Sequence, residues 1–467
     1  MTDFDVAIVG AGPAGMSAAC YLAECGFQVV VLDECAAPGG QVFRSAEQVR
    51  SGRPADLKAL GRHYRSGLRL IDRFRDSGVI YRPRTAVWQV SAIEEPALTI
   101  GTVSDKQAGM IQVRHIVLAA GAMERPTPFP GWTLPGVMTV GAAQTLLKSS
   151  GLVPEGRIAL AGSGPLLYLY ASQLIAAGKL PDIILDTRPR ASWRAKAAAL
   201  PALAADPRSM VRGLGWMREV RGQVPVREMT RCLRATGDDR LTSISFESHG
   251  HQFNHQTDLL LVHDGVIPNT WLAMSAGCRH HWDERQRCWA PDINGAGQTS
   301  RPSISIVGDA AGIVGADACV LHGEAVAREV AGCLADHTPV IADDGSRSLS
   351  LWRHRSLRRF LDLFYPPSGE FELPPEDDTV VCRCEEVTAG EIRRVAALGC
   401  VGPNQGKAFT RCGMGPCMGR KCGVTVSRLI AEHHGLAMDE VGHYRIRPPV
   451  KPITVGQLAD LNPDATE

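Results

Sequence analysis

The chain has 467 residues, 45% of them hydrophobic and 21% charged, with 50 Lys+Arg against 49 Asp+Glu and a formal net charge of +1. That length calls for two or three domains, the apolar content suffices for buried cores, and the even charge balance excludes a general nucleic-acid or polyanion binder. Met1-Thr2-Asp3-Phe4 enters an apolar strand with no leader pattern, and no apolar run approaches the roughly 20 residues of a membrane span. A cytoplasmic protein, not integral to a membrane, is expected. Its 14 cysteines, kept reduced there, suit metal or redox use better than disulfides.

Residues 4–9 read as a short buried strand, Gly10-Ala11-Gly12-Pro13-Ala14-Gly15 as a turn opening a helix to about residue 25, and 28–33 as the next parallel strand. In that context Gly10 makes the tight turn, Gly12 lets the backbone approach a pyrophosphate at the helix N-terminus, and Gly15 lets helix and strand pack closely. Asp33, 23 residues after Gly10 and followed by Glu34, stands where an acid holds a ribose hydroxyl. Three further features narrow the nucleotide to FAD. Gly39-Gly40-Gln41 supplies a tight loop with an amide, and the apolar strand 116–121 ends in small residues at Gly121, where a chain crosses close to a cofactor. Ile306-Val307-Gly308-Asp309 puts a carboxylate at a strand end, either to meet a ribityl hydroxyl or to cap the next helix.

The pattern returns at residues 157–164, with a helix to about 177 and a strand over 182–186. Gly162 and Gly164 are kept, but Leu167 stands where the third glycine belongs. Asp186, 24 residues after Gly162, suits an adenosine ribose, whereas nearby Arg188 favours a 2'-phosphate. NAD(P), another adenine nucleotide and an empty relic all stay open for this second site. A helix over 191–205 and a hairpin of 241–246 with 252–258 follow, after which strands 258–262 and 303–307 are expected to rejoin the first fold. His249, His251 and His255 read as a solvated hairpin turn, and the basic run 353–359 as a solvated helix face or a partner contact.

Six cysteines fall in the last fifth of the chain: Cys382, Cys384, Cys400, Cys412, Cys417 and Cys422. Four thiolates gathered by two loops, the second of them Gly-rich, suit a tetrahedral Zn site or a [2Fe–2S] cluster, while Cys400 reads as packing. The expected fold class is α/β, with two Rossmann-like dinucleotide-binding domains and a small α-rich C-terminal cysteine domain. Expected boundaries are 1–150 and 258–345 for the two parts of the FAD domain, 151–257 for the inserted nucleotide domain, 346–377 for a linker, 378–443 for the cysteine domain and 444–467 for an extended tail.

Residues 4–335 resemble the two-dinucleotide-binding-domain flavoproteins that include thioredoxin reductase and glutathione reductase, but the redox cysteine pair of those enzymes is missing, which disfavours a disulfide reductase. Residues 381–423 resemble the bacterioferritin-associated-ferredoxin type of [2Fe–2S] domain. That family pairs a C-x-C with a second pair a little over thirty residues on. The 32 residues between Cys384 and Cys417, against 27 to Cys412, make Cys382, Cys384, Cys417 and Cys422 the implied ligands, with Cys412 as runner-up. The second pair departs from the family in being C-x4-C rather than C-x2-C.

Together with residues 120–126, 161–168, 263–269 and 410–417, these features make the chain similar, nearly end to end, to the A (alpha) subunits of octopine and nopaline oxidases, hydrogen cyanide synthase and proline or D-hydroxyproline dehydrogenases. The resemblance implies a hetero-oligomer in which an FAD-containing beta subunit, with or without a small third subunit, oxidises a secondary amine or amino acid. The present chain then passes the electrons through FAD and [2Fe–2S] to an acceptor, and the residues that oxidise the amine lie in the other subunit. The alternative is a stand-alone NAD(P)H-dependent reductase. The Pro-rich tail from Tyr444 is the expected subunit contact.

Overall fold

The strand Phe4–Val9 lies between Val29–Leu32 and Ala108–Leu118, parallel to both. Its Val6, Ala7 and Ile8 are wholly buried, as befits a β-branched strand covered on both faces. Ile80–Arg82 and Ile304–Ile306 extend the parallel part, and Leu98–Ser104 and Thr85–Ser91 add an antiparallel edge, giving seven strands. The helix Pro13–Glu24 packs on Ala316–Leu334, where a Cβ on Gly323 would come within 2.4 Å of the Ala14 carbonyl oxygen. The structure is a computed structural model that describes residues 3–91, 98–105, 107–335, 346–459 and 461.

The second sheet is parallel throughout, in the order Val226–Arg227, Ile183–Asp186, Ile158–Ser163, Leu259–Asp264, Val137–Thr139. The strand expected at 258–262 therefore belongs to this sheet and does not rejoin the first, and the second unit also takes in Val137–Thr139. The boundaries at 150/151 and 257/258 miss one strand on each side. A fully buried apolar strand fits either sheet by pattern, and only the pairing with Ile158–Ser163 decides. Passage between the units is made by the antiparallel pair Ala122–Glu124 and Val266–Pro268. The hairpin is Ser243–Ser248 with His251–Gln256, joined by a third strand, Thr230–Thr236.

The segment expected as a linker begins with a helix, Ser346–Phe364, whose Phe360 packs on Ala198 and Ala202 of the helix Trp193–Ala205. In the C-terminal unit, Val380–Cys382 pairs with Val387–Thr388, and helices Ala389–Ala397, Pro403–Thr410 and Gly423–His434 follow. Thr388 and Glu391 cap the first of these reciprocally, at 3.3 and 2.9 Å. Ile392, Leu429 and Ile430 share one core with Leu272, Met274 and Trp289 of the first unit. The tail from Tyr444 is extended but anchored: Tyr444, Ile446 and Val450 are buried in that same core, and composition alone does not reveal this because isolated apolar residues among prolines carry no period.

Candidate functional site

The first glycine turn is built for close approach. A Cβ on Gly10 would stand 2.4 Å from the Ala119 carbonyl oxygen, one on Gly15 2.0 Å from the Gly10 carbonyl oxygen, and one on Gly40 2.8 Å from Gly12 Cα. Asp33 ends its strand buried, with Oδ2 accepting from the Ala11 N–H at 2.9 Å and Oδ1 from the Cys35 N–H at 2.8 Å. Burial raises its pKa against the pull of those donors. Pro13 and Ala14 open the helix, and Gly308 sits so close to it that a Cβ would meet Ala14 Cβ at 2.7 Å. Asp309 organises the following loop, its Oδ1 accepting from Val314 and Gly315 N–H groups at 2.8 and 3.0 Å. Gly121 opens onto free space at φ +66°. A glycine cradle with a buried acid at the second strand's end fits a dinucleotide. Glu34 is ion-paired with Lys451 of the tail at 2.8 Å, so the tail reaches this turn beside Asp33.

Gln41 faces the second unit rather than only the cleft. Its carbonyl accepts from Lys148 Nζ at 3.0 Å, and the same ammonium donates to Gln144 Oε1 at 2.9 Å. Gln144 in turn donates to Gln173 at 2.9 Å. Burial, with Arg44 nearby, brings Lys148 down to about 7.

At the second turn, a Cβ on Gly162 would stand 1.7 Å from the His263 carbonyl oxygen, so the neighbouring strand itself demands this glycine. Leu167 fills the third glycine's place as a fully buried side chain. Asp186 is buried and engaged: it accepts from Tyr168 Oη at 2.7 Å and the Arg188 N–H at 3.0 Å, and pairs with the Arg188 guanidinium at 3.4 Å. Arg188 lies under Phe364 and Tyr365, 4.3 and 5.4 Å from the ring centroids. Among the described residues, Ser163 Oγ, Thr187 Oγ1 and Arg188 Nη1 are buried without a hydrogen-bond partner. Beside Gly164, His263 Nδ1 meets Glu124 Oε1 at 2.8 Å, and Glu124 Oε2 accepts from the Gly141 N–H at 3.0 Å. Burial alone would raise Glu124, but these hydrogen bonds hold it below its ordinary value.

The cysteines divide. The thiols of Cys382, Cys412 and Cys422 are buried within 4.8 Å of one another. Cys384 is exposed, accepts a hydrogen bond from the Cys417 N–H and donates its own thiol to the Cys417 sulfur. Cys412, the runner-up by spacing, thus lies in the buried group, and two of the four expected ligands lie together outside it. Hydrogen bonds from Cys412 and Cys422, with the N–H groups of Gly413 and Glu385, hold the Cys382 thiol far down, at about 2. A buried, all-sulfur donor set already favouring a thiolate fits a metal or cluster. Cys400 is buried and donates to the Gly402 carbonyl, so it packs.

Two residues that spacing arguments miss build the setting of these thiols. The Tyr444 ring fills the centre of the cysteine loop: Cβ atoms on Gly413 and Gly419 would meet it at 2.6 and 2.4 Å, and its hydroxyl donates to the Cys412 carbonyl at 3.0 Å. The clustered glycines were the only hint. Trp271 Nε1 donates to the Met418 carbonyl at 3.2 Å, while Asn269, two residues earlier, binds the Gly121 carbonyl through its N–H at 3.0 Å. The cysteine loop is thereby joined to the mouth of the first dinucleotide cleft.

Paired dinucleotide-binding units of this kind define a pyridine nucleotide-disulphide oxidoreductase, and residues 4–328 match that family, while residues 376–461 match the sarcosine oxidase A3 domain. The A (alpha) subunit of the opine oxidase of Rhizobium meliloti is 40% identical over 98% of this chain and 88% of its own length. The HcnB subunit of the hydrogen cyanide synthase of Pseudomonas aeruginosa is 32% identical over 98% and 99%. The chain belongs to the pyridine nucleotide-disulphide oxidoreductase family and, within it, to the group formed by the A (alpha) subunits of opine oxidases. The crystal structure of L-proline dehydrogenase from P. horikoshii, at 18% identity, shares the fold with a TM-score of 0.71 over 97% of this chain and 79% of that one. The chain is a flavin-type oxidoreductase. No described helix is long and apolar enough to cross a membrane.

Proposed function

We propose that this chain is the electron-transferring subunit of a cytoplasmic hetero-oligomeric amine dehydrogenase or oxidase. FAD would lie on the Gly10–Gly15 turn, with Asp33, Gly40, Gln41, Gly121, Gly308 and Asp309 around it and Glu34 at its ribose end, and a [2Fe–2S] cluster on the C-terminal thiols. FAD would supply two-electron exchange and the cluster one-electron exchange. The chain's own residues supply the cradle, the buried thiols and the Trp271 hydrogen bond to the cysteine loop. An FAD-containing beta subunit, by itself or with a small third subunit, would oxidise the amine; that the relatives are named as one lettered subunit of an opine oxidase supports a further subunit. The observation carrying this reading is the buried thiol group in a loop whose Met418 carbonyl is bound by Trp271, two residues after the Asn269 that binds Gly121.

The unpartnered Ser163, Thr187 and Arg188 atoms favour a second ligand, an adenine nucleotide such as NAD(P), on Gly162 and Gly164. With NAD(P)H this becomes the alternative of a stand-alone reductase. Asp186, already engaged by Tyr168 and Arg188, weighs against a ribose contact there.

The test is a visible spectrum with iron and sulfide analysis on the wild type and on Cys382→Ala, Cys412→Ala and Cys417→Ala. Flavin bands with iron and sulfide in equal amounts are expected, with loss of iron in Cys382→Ala. Comparison of the other two variants then identifies the remaining ligands. A yellow protein without iron would sink the cluster. Bleaching by NADH or NADPH under anaerobic conditions, with neither amine nor partner subunit present, would favour the reductase.

A further inference from the structure

The helices Trp193–Ala205 and Pro207–Arg221 stand on the outside of the second unit. The inner face of the first is a row of small side chains, Ala195, Ala198, Ala202 and Ala205, all buried. The outer faces are not polar, as a solvated pair requires. Trp193 is 74% exposed, Leu200 73%, Val211 63% and Leu214 60%. Exposed apolar side chains gathered in this way mark an interaction surface rather than scattered surface residues.

The charge around them is one-sided. Residues 190–221 carry seven Lys or Arg against two acidic residues, in a chain whose whole net charge is only +1. Arg221 pairs with Glu228. Among the described residues, Arg190, Arg194, Lys196, Arg208 and Arg218 enter no ion pair. A protein interface gathers apolar side chains into a core depleted of charge. Here cations alternate with large apolar residues along the exposed helix faces: Trp193, Arg194 and Lys196 precede Leu200, and Arg208 and Arg212 flank Val211. That is the pattern of helices lying in a lipid headgroup layer, with apolar side chains at the acyl boundary and cations on the phosphates.

We propose that the outer face of these two helices is a peripheral membrane-binding site that takes an anionic phospholipid surface. It does not depend on how the chain's cofactors are assigned. The contact is one of surface residues, because no described helix can cross a bilayer.

The test uses the full-length purified chain and sedimentation with vesicles of phosphatidylcholine alone or mixed with phosphatidylglycerol. Partition into the anionic vesicles is expected to exceed that into neutral ones at least about tenfold and to fall as salt is added. A blue shift of tryptophan emission should accompany binding and shrink in Trp193→Phe. The Leu200→Glu/Leu214→Glu variant, which alters only exposed positions, should keep its circular dichroism and lose binding. Arg194→Glu/Arg208→Glu should lose the preference for anionic lipid. Equal partition of wild type and the leucine variant, or no binding of folded wild type to either vesicle, overturns the proposal. Failure of the leucine variant to co-purify with a partner subunit, with lipid binding intact, would reassign the face to a protein interface.

Discussion

Lys148 is an ammonium buried between the two nucleotide units, with a carbonyl and an amide as its partners and no carboxylate among its hydrogen bonds. Removal from water penalises the charged form, so its folded pKa falls to about 7 from an ordinary value of 10.5. Between those values the unfolded chain binds a proton that the folded chain does not, so stability rises with pH through that window. Below about pH 7 both states carry the proton, and the folded state bears the whole burial penalty. Between about pH 7 and about pH 8.5 the unfolding free energy of the wild type should rise by roughly 1.5 kcal/mol relative to Lys148→Met, which lacks the titrating group. Urea unfolding of both proteins at the two pH values measures the difference. Parallel pH dependences would mean that Lys148 keeps its ordinary pKa.

The elements bearing glycine turns were legible in the sequence because each has a local cause. Gly10 and Gly15 must be small for the turn to close, and Asp33 sits at a fixed interval beyond it. The cysteine loop was legible only in part. Thiol spacing along the chain places Cys384 in the cluster set, yet the fold turns Cys384 outward onto Cys417 and brings Cys412 inward. The anchoring of the tail is not legible in the sequence, since nothing local says that Tyr444 returns into a loop ending some twenty residues earlier. Gly413, Gly419 and Gly423 around its ring leave no side chain to refill the space if the ring is lost. Tyr444→Ala should therefore cost about 3 to 5 kcal/mol and open the loop, whereas Tyr444→Phe loses only the hydrogen bond to the Cys412 carbonyl, about 1 kcal/mol. Alkylation of Cys412 and Cys422 in metal-free protein is the readout, fast in the alanine variant and slow in wild type and phenylalanine variant. Equal protection in Tyr444→Ala would remove Tyr444 from the architecture of the thiol site.

At the scale of the whole molecule, the sequence shows two nucleotide units but not where the chain passes between them, because both sheets accept the same buried apolar strands. The passage is marked instead by Arg125 and Asp264, whose side chains are 2% and 0% exposed. Arg125 donates to the carbonyls of Asp264 at 3.1 Å and Arg287 at 2.8 Å, and to that of Gln286. The Asp264 carboxylate accepts from the Ser368 N–H at 3.1 Å. One guanidinium thus ties the crossing strands to a hairpin of the first unit, and one carboxylate ties them to the segment after the Ser346–Phe364 helix. Arg125→Met would take away the guanidinium 3.8 Å from the buried Asp264 carboxylate together with three hydrogen bonds to carbonyls, a loss of about 3 to 5 kcal/mol. The more selective variant is Arg125→Lys, which keeps the charge but lacks the planar fork that serves several carbonyls at once. If the clasp fixes the two units relative to each other, amide exchange in Arg125→Lys should accelerate at Ser368 and along Val266–Pro268 while the inner strands Phe4–Val9 and Ile158–Ser163 stay protected. Protection at Ser368 equal to that of the wild type would show that the units are held by their packed helices, with the buried pair as a bystander.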